Sequence, residues 1–361
     1  ERAGHLDRSV EFLPNDEAIA ERVQGGKALT RPELAVLLAS AKIGICADLI
    51  AGDVPEDPYL GEDLEQYFPE ALSKTQDPAI ASHRLRRELI ATTVSNSIVN
   101  RAGCSFVNDL SEATSTPASD VARAYAAARH VFCLRELWLE IEALDNHVPS
   151  DLQTQMLVET GRLLERGTLW FLRARPRPID ISAVIEEFTD GVASLGEVIE
   201  TVLTEENRTR TESTRNRYIE QGVPEGVARM IAAIEWLLPA CDIVEIAGET
   251  GLDVEMAARA YFAVGSRFSI DWLRNNAAAL NGGNHWQHRA VAAITDDLFG
   301  QQRALCLAVL QHSTEDGGVD AAIGSWEAQH QALMVRTGDL FEDLKSSSPL
   351  DLGMLAVANR Q

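Results

Sequence analysis

The sequence predicts an all-α protein, and two patterns along the chain support this fold class. Apolar residues recur at steps of three or four over long stretches, which is the spacing of one face of a helix. Alternating runs of β-branched residues bounded by turn residues, the pattern of strands, are nearly absent. Because 361 residues exceed the size at which one hydrophobic core usually stops growing, we expect two helical subdomains.

Capping signals mark the helix starts. Thr30 is followed by Pro32 in the first turn and by Glu33 three positions on, which predicts a capping box and a helix over the apolar positions that follow. Signals of the same kind recur further along, and each predicts a new helix: Asp77-Pro78, Thr116-Pro117, Ser150 with Gln153, and Ser348-Pro349.

The most regular apolar stretch, residues 121–148, predicts one long core helix. Its spacing is unbroken, and we expect Tyr125, Trp138 and Ile141 to be buried on it. A second helix of this kind is predicted over residues 184–203.

A break follows the first of these regions at residues 173–178, Arg-Ala-Arg-Pro-Arg-Pro, because a helix cannot continue through Pro176 and Pro178. Residues 204–217 are polar and charged without an apolar stripe, so we interpret them as a solvated helix extension or a linker. The expected organisation is a helical subdomain over 1–175, a break with a long helix over 176–221, and a second helical subdomain over 222–361.

A weak internal repeat links the two sides of the break. Ala122-Arg-Ala-Tyr125 with Phe132 recurs as Ala258-Arg-Ala-Tyr261 with Phe268, 136 positions on. The near-constant offset favours a duplicated multi-helix unit, in which residues 85–172 would superpose on 222–308. The alternative is a chance match between two alanine-rich amphipathic helices.

Composition excludes several classes of protein. Hydrophobic residues make up 45% and charged residues 24%, which is typical of a folded domain and not of a disordered one. A net charge of −23 repels phosphate backbones and anionic lipid, so we expect neither nucleic-acid nor membrane binding. The five cysteines show no CxxC spacing, which predicts reduced thiols in a cytoplasmic protein.

Several phrases of the sequence resemble the C-terminal region of the large bacterial NAD-dependent glutamate dehydrogenases. They lie throughout the chain and include LTRPELAVLLASAKI (29–43), HRLRRELIATTVSNSIVNRAG (83–103), LWLEIEALDNHVP (137–149) and GVPEGVARMIAAIEWLLPACDIVEIA (222–247). The resemblance implies a parent oxidoreductase that deaminates L-glutamate to 2-oxoglutarate and ammonium and passes a hydride to NAD. It also implies that the substrate lysines, the general base and the dinucleotide glycines lie upstream.

No catalytic, cofactor-binding or metal-binding residue of that family is carried over to this chain. Lys27 follows Gly25 and Gly26, but this setting is typical of a helix C-cap and a loop lysine, and no Gly-x-Gly-x-x-Gly turn follows a strand. We therefore expect this region to be structural, to dock on the upstream catalytic domain and to support a homo-oligomer, and to be catalytically silent alone. The alternatives are a self-standing helical scaffold or a small metal-dependent hydrolase.

Two constellations are candidates for function. His285 and His288, with carboxylates about two turns further on, have a spacing that permits metal ligation, although packing or salt bridging is the more ordinary role. Arg84, Arg86 and Arg87 are the most concentrated basic element and form a candidate docking patch for an acidic surface. The ordinary interpretation of that patch is a solvated helix face in which Arg84 pairs with Glu88; a clamp for nucleotide phosphate is a third.

Overall fold

The structure is a computed structural model that describes residues 6–280, 284–311, 318–347 and 350–360, without the side chains of residues 70, 73–77 and 285. These ranges contain nineteen α-helices, two short 3-10 helices and no strand, which confirms the predicted all-α class. The chain divides into two compact units, Glu1–Thr189 and Asp190–Gln361. This division falls within the long helix α10, Ile181–Val202, which itself lies in the predicted break over 176–221.

The first unit contains nine helices and the start of α10. In chain order they are α1 Asp16–Gln24, α2 Arg31–Ala51, α3 Gly61–Glu65, α4 Glu70–Ala81, α5 Arg86–Ala102, α6 Phe106–Thr114, α7 Ala118–Val131, α8 Leu134–Glu142 and α9 Ser150–Ala174, with 3-10 turns at Val54–Glu56 and Pro58–Leu60. The helix α7 is buried almost all round and packs along α9, while α2 packs along α5. These contacts place the core of the unit around α5, α7 and α9.

The second unit contains the rest of α10 and nine further helices. These are α11 Glu205–Glu220, α12 Glu225–Leu237, α13 Ala240–Thr250, α14 Val254–Arg267, α15 Ile270–Ala279, α16 His285–Leu310, α17 Gly318–Gln329, α18 Gln331–Ser346 and α19 Leu352–Ala358. The helices α13, α14 and α15 all pack on α16. A separate apolar cluster joins α15, α16, α18 and α19 around Leu273, Leu298 and Leu355.

The helix α2 begins as predicted. The Thr30 hydroxyl accepts from the Glu33 amide, and the Glu33 carboxylate accepts from the Thr30 amide at 2.6 Å, so the capping box is complete. By length and apolar composition alone, α2 is the one helix of the described ranges that could cross a membrane, a test that a core helix also passes. Only Ile45 and Leu49 of this helix are fully buried.

The prediction of one long helix over 121–148 is wrong. The chain ends α7 at Val131 and starts α8 at Leu134, because Cys133 adopts a left-handed conformation with φ of 49° that no helix can include. The apolar spacing survives the break because α7 and α8 both pack against α9. Tyr125, Trp138 and Ile141 are buried, as predicted.

Residues 204–217 form neither an extension of α10 nor a linker. Thr204 caps a new helix, α11, whose side facing α12 buries Thr211 and Tyr218. The indole Nε1 of Trp236 donates to the Thr211 hydroxyl at 2.8 Å, so two polar atoms satisfy each other between the helices. A polar sequence therefore packs through a few matched contacts.

Of three other predicted helix starts, one is confirmed and two are wrong in detail. Pro117 directly precedes α7, as expected, but Pro78 lies inside the last turn of α4 and starts no helix. Ser150 is the first residue of α9 and does not cap it; Gln153 instead donates to the Ile141 carbonyl at 2.9 Å. Ser348-Pro349 lies outside the described residues.

The helix boundaries follow the predicted repeat. The helix α7 runs from 118 to 131 and α14 from 254 to 267, so both ends shift by 136 positions. The left-handed residues that precede α7 and α8 recur before α14 and α15: Ser115 matches Gly251, and Cys133 matches Ser269. The turn before α6 is not shared, because Gly103 has a φ of 96° while Pro239 has a φ of −88°. The duplication itself stays a prediction. We call α5–α9 the first copy and α12–α16 the second copy.

Candidate functional site

The candidate docking patch lies at the start of α5, where two of its arginines are already engaged within the first unit. Arg87 donates to the carbonyls of Ile50 at 2.6 Å and Gly52 at 2.9 Å, and it pairs with Glu56. These carbonyls end α2, whose last turn has no intrahelical donors for them. The Arg87 guanidinium therefore acts as a cap on the C-terminus of α2.

The other two arginines differ from each other. Arg86 donates to the Pro55 carbonyl at 2.9 Å and so fixes the 3-10 turn that follows α2. Arg84 is exposed in the turn before α5, and no ion pair joins it to another described residue. The expected pairing of Arg84 with Glu88 is absent because the helix begins only at Arg86. Docking by this patch stays a prediction, and Arg84 is its most accessible member.

A buried charge cluster, which the sequence patterns did not reveal, lies nearby in the first unit. Asp63 of α3 is 1% exposed and accepts two hydrogen bonds from Arg129 of α7, at 2.9 and 2.7 Å, and a third from Arg135 at 3.0 Å. Burial opposes the charge of Arg129, but the Asp63 carboxylate outweighs it and raises the pKa of the guanidinium. The Arg129 guanidinium is therefore held charged beside the Asp63 carboxylate.

A second pair extends this cluster along α7. Arg123 donates to Asp57 at 2.6 Å and lies 3.1 Å from the exposed carboxylate of Asp53, whose pKa it lowers through a hydrogen bond and its charge. Between the two pairs, the Tyr59 hydroxyl lies 2.9 Å from Nδ1 of His130. Residues 53–63 are thus fastened to one face of α7 by charged and polar contacts.

The chemistry of this cluster is structural. Each of the three carboxylates is bound by at least one guanidinium group, so none of them is free to act as a general base. Burial raises the pKa of Tyr59, which keeps the phenol protonated, and burial also raises the pKa of the Cys133 thiol at the end of α7. A raised thiol pKa lowers the thiolate fraction on which nucleophilic attack depends.

The second unit has charge pairs of its own. Asp271 pairs with Arg274 on α15, and Glu235 accepts from Arg210 at 2.7 Å. A groove of about 410 Å³ lies between α14 and α17, where Arg267 and Glu327 form a bidentate pair at 2.6 and 2.9 Å. Arg267 and Glu327 therefore neutralise each other, while Asp320 is a second carboxylate that lines the groove.

The histidine candidates do not converge. Both lie on α16, but the side chain of His285 is outside the described residues and that of His288 is exposed. Asp296 follows His288 by eight positions, which is about 12 Å along a helix and too far for one ion. In the part of the chain that the structure describes, no three histidine, cysteine, aspartate or glutamate side chains are grouped to hold a metal.

The described residues contain no strand-turn-helix unit of the kind that binds a dinucleotide in a doubly wound fold. Pyrophosphate is commonly held by a glycine-rich turn between a strand and the start of a helix, and no strand occurs in the described ranges. Gly25 caps the C-terminus of α1 and Gly26 has a φ of 64°, so Lys27 follows a helix end, as the sequence predicted.

The fold and the site define a class of protein. It is an all-helical region of two units whose strongest polar cluster packs its helices together. A family model described as "Glutamate dehydrogenase, C-terminal" matches residues 26–361, and the chain belongs to this family.

Three curated relatives align with practically the whole chain. Each carries the name NAD-specific glutamate dehydrogenase: that of Pseudomonas aeruginosa is 39% identical over 361 residues, that of Halomonas elongata 37% over 363, and that of Mycobacterium tuberculosis 31% over 356. The alignments cover 99 to 100% of this chain but 22% of each relative. The chain thus spans less than a quarter of the length of the relatives it matches.

Proposed function

We propose that this chain is the C-terminal helical region of a NAD-dependent glutamate dehydrogenase and that it serves the enzyme as a structural part. The observation that carries the proposal is the 39% identity over all 361 residues to an NAD-specific glutamate dehydrogenase. The parent enzyme converts L-glutamate, NAD and water to 2-oxoglutarate, ammonium and NADH.

The catalytic residues and the NAD site of the parent lie, in this proposal, in the sequence that precedes the region. Two observations support this division of labour. The described residues contain no strand on which a dinucleotide turn could be built, and the arginines and carboxylates of the buried cluster are bound to each other.

The proposed partners are the catalytic part of the same polypeptide and further copies of the enzyme, in the cytoplasm. The five cysteines are free thiols, which fits a reducing compartment. The helix α2 packs along α5 and its C-terminus is capped by Arg87, which favours a packed helix over a membrane span. The net charge of −23 argues against nucleic acid.

The proposal is tested by assaying NAD reduction with L-glutamate for the complete polypeptide and for the 361-residue chain alone. We expect turnover by the first and neither turnover nor saturable NAD binding by the second. Saturable binding of NAD to the isolated chain at micromolar concentration would contradict the proposal. A reading frame that encodes no catalytic part would favour a self-standing helical scaffold.

A further inference from the structure

Exposed apolar side chains are concentrated near the start of the chain. Of the eighteen large apolar side chains that are exposed in the described ranges, ten lie between Val10 and Leu85, although this stretch is a minor part of the chain. Phe12 is 89% exposed, and α1 buries no residue at all. Where such side chains lie side by side on one element, the apolar surface marks an interaction site more often than a solvated face.

The clearest part of this surface is one side of α2. Leu34 and Leu38 are one helical turn apart and exposed, Ala35 and Ala39 lie beside them, and Ile43 is 68% exposed a turn further on. Ile45 and Leu49 follow Leu38 by seven and eleven positions, so they lie on the same side of the helix, and they are buried where α2 packs along α5. The apolar surface of α2 is therefore covered towards the C-terminal end of the helix and uncovered before it. We call the uncovered part, residues 34, 35, 38, 39 and 43, the α2 outer face.

One cation belongs to the same side of the helix. Lys42 follows Leu38 by four positions and is half-buried, and no ion pair joins it to another described residue. A lysine within an apolar helix face fits a partner surface that is itself apolar and presents a carboxylate opposite the ammonium group.

We propose that the α2 outer face is the surface on which the preceding part of the glutamate dehydrogenase polypeptide docks. This inference rests on the proposed function. The relatives extend well beyond the aligned segment, which is 22% of their length, and the family description places that segment at the C-terminal end. In the proposed function, the catalytic part of the polypeptide precedes α2. The family match itself begins at residue 26, so α1 with its exposed Val23 lies before the matched region. The preceding part of the polypeptide therefore joins the chain next to α2.

A second copy of the chain fits the face less well. Two outer faces packed together would bring two Lys42 ammonium groups into one apolar interface, and like charges in such a setting are mutually destabilising.

The test is the protection of a single thiol in the complete polypeptide. Leu38→Cys is compared with Leu139→Cys, whose parent leucine is exposed on α8, and maleimide labelling of each peptide is followed by mass spectrometry. Each rate is divided by the rate in the urea-unfolded polypeptide. We expect the Leu38→Cys ratio to fall about tenfold or more below that of Leu139→Cys, because labelling must wait for the interface to open. Equal ratios would overturn the inference.

Two further results bear on the occupant. Protection that disappears on dilution would assign the face to a second copy, and protection that needs phospholipid vesicles would assign it to a membrane; either result would overturn the proposal. With Leu38→Cys in place, Lys42→Glu should restore labelling while Lys42→Met should not, if a carboxylate lies opposite. The labelling requires no enzyme activity, so it can fail while glutamate-dependent NAD reduction still confirms the proposed function.

Discussion

The first and second copies have equivalent helices in the same order, but different side chains pack against those helices. In the first copy, Arg129 of α7 reaches the buried carboxylate of Asp63. The equivalent position 136 residues later is Gly265, and its missing side chain leaves room for Gln302 of α16, which donates to the Tyr261 carbonyl at 2.8 Å. At this position one copy has a buried ion pair and the other a neutral amide.

This difference distinguishes the features that both copies share from the contacts that only one copy makes. The left-handed residues before α7 and α14 and before α8 and α15, and the buried tyrosines Tyr125 and Tyr261, are common to both copies. The polar contacts at the outer side of α7 and α14 are not shared, because a different segment covers each helix. Substitutions at equivalent positions should therefore have unequal effects, in an order that the contacts predict.

The largest effect is expected at the buried ion pair. Asp63→Ala leaves Arg129 charged and buried without its carboxylate, which should cost about 3 to 5 kcal/mol. The double variant Asp63→Ala with Arg129→Met removes both charges and should be more stable than the single one. Urea denaturation followed by circular dichroism reports both values. If the double variant is instead less stable than Asp63→Ala, Arg129 contributes to the free energy of unfolding in some way other than by pairing with Asp63.

A comparable loss is expected at Trp138, but not at its counterpart. The Trp138 indole is 4% exposed, donates to the buried Thr160 hydroxyl at 2.9 Å and lies under Arg101, so Trp138→Ala should cost about 3 to 5 kcal/mol. The position 136 residues later is Arg274, which pairs with Asp271 beside the ring of Phe299. Arg274→Ala removes a charged hydrogen bond and should cost about 1.5 to 3 kcal/mol. Equal losses in thermal or urea unfolding would mean that the two positions are equally embedded.

The sequence predicted the helices of this chain better than the contacts between them. The capping box at Thr30, the helix α10 and the burial of Tyr125 follow from local spacing, which a sequence displays directly. The break at Cys133 leaves no such trace, because the apolar face continues across it and the left-handed residue is not a glycine.

The buried charge cluster was out of reach for a different reason. Asp63 and Arg129 are 66 positions apart, and nothing in an alanine-rich helix indicates which of many carboxylates an arginine will meet. An arginine within a stretch of small apolar residues, as at Arg123 and Arg129, is nevertheless a usable signal that a buried partner exists. The helix α11 was missed because its packing depends on single residues such as Thr211.

A smaller effect, of opposite sign at two glycines of one helix, tests how closely α7 and α9 pack in the first copy. A Cβ at Gly167 would lie 2.5 Å from the Phe132 ring, so Gly167→Ala should destabilise by about 1 to 3 kcal/mol. At Gly161 the added atom would meet only the Arg101 carbonyl at 3.6 Å, and Gly161→Ala should stabilise by about 0.5 to 1 kcal/mol through helix propensity. Thermal melts in which both variants are more stable than the unsubstituted chain would show that Phe132 moves aside.

The smallest expected effects are on how the stability depends on pH at acidic values, and they should have opposite signs in the two units. In the first unit, the hydrogen bond from Arg22 lowers the pKa of Glu33 to about 2 from 4.5. Because the folded pKa is the lower one, this contribution is present above pH 4.5 and is lost as the pH falls towards 2. In the second unit, burial raises the pKa of Asp271 above 3.8, so its contribution is present below pH 3.8 and is lost as the pH rises through the raised value.

Unfolding midpoints measured across this pH range should therefore respond in opposite ways to two substitutions. Arg22→Met removes the donor to Glu33 and should flatten the loss of stability between pH 4.5 and 2. Asp271→Asn removes a carboxylate that is costly to ionise, so its effect on stability should be more favourable at neutral pH than at about pH 3. Arg22 lies in the last turn of α1, and its substitution removes a contact to the start of α2. Both helix ends are open to solvent there, so we expect the change at Glu33 to be the weaker of the two. A pH profile of Asp271→Asn that parallels the unsubstituted chain would show that Arg274 holds the carboxylate ionised throughout, and the second unit would then resemble the first in keeping its buried charges paired.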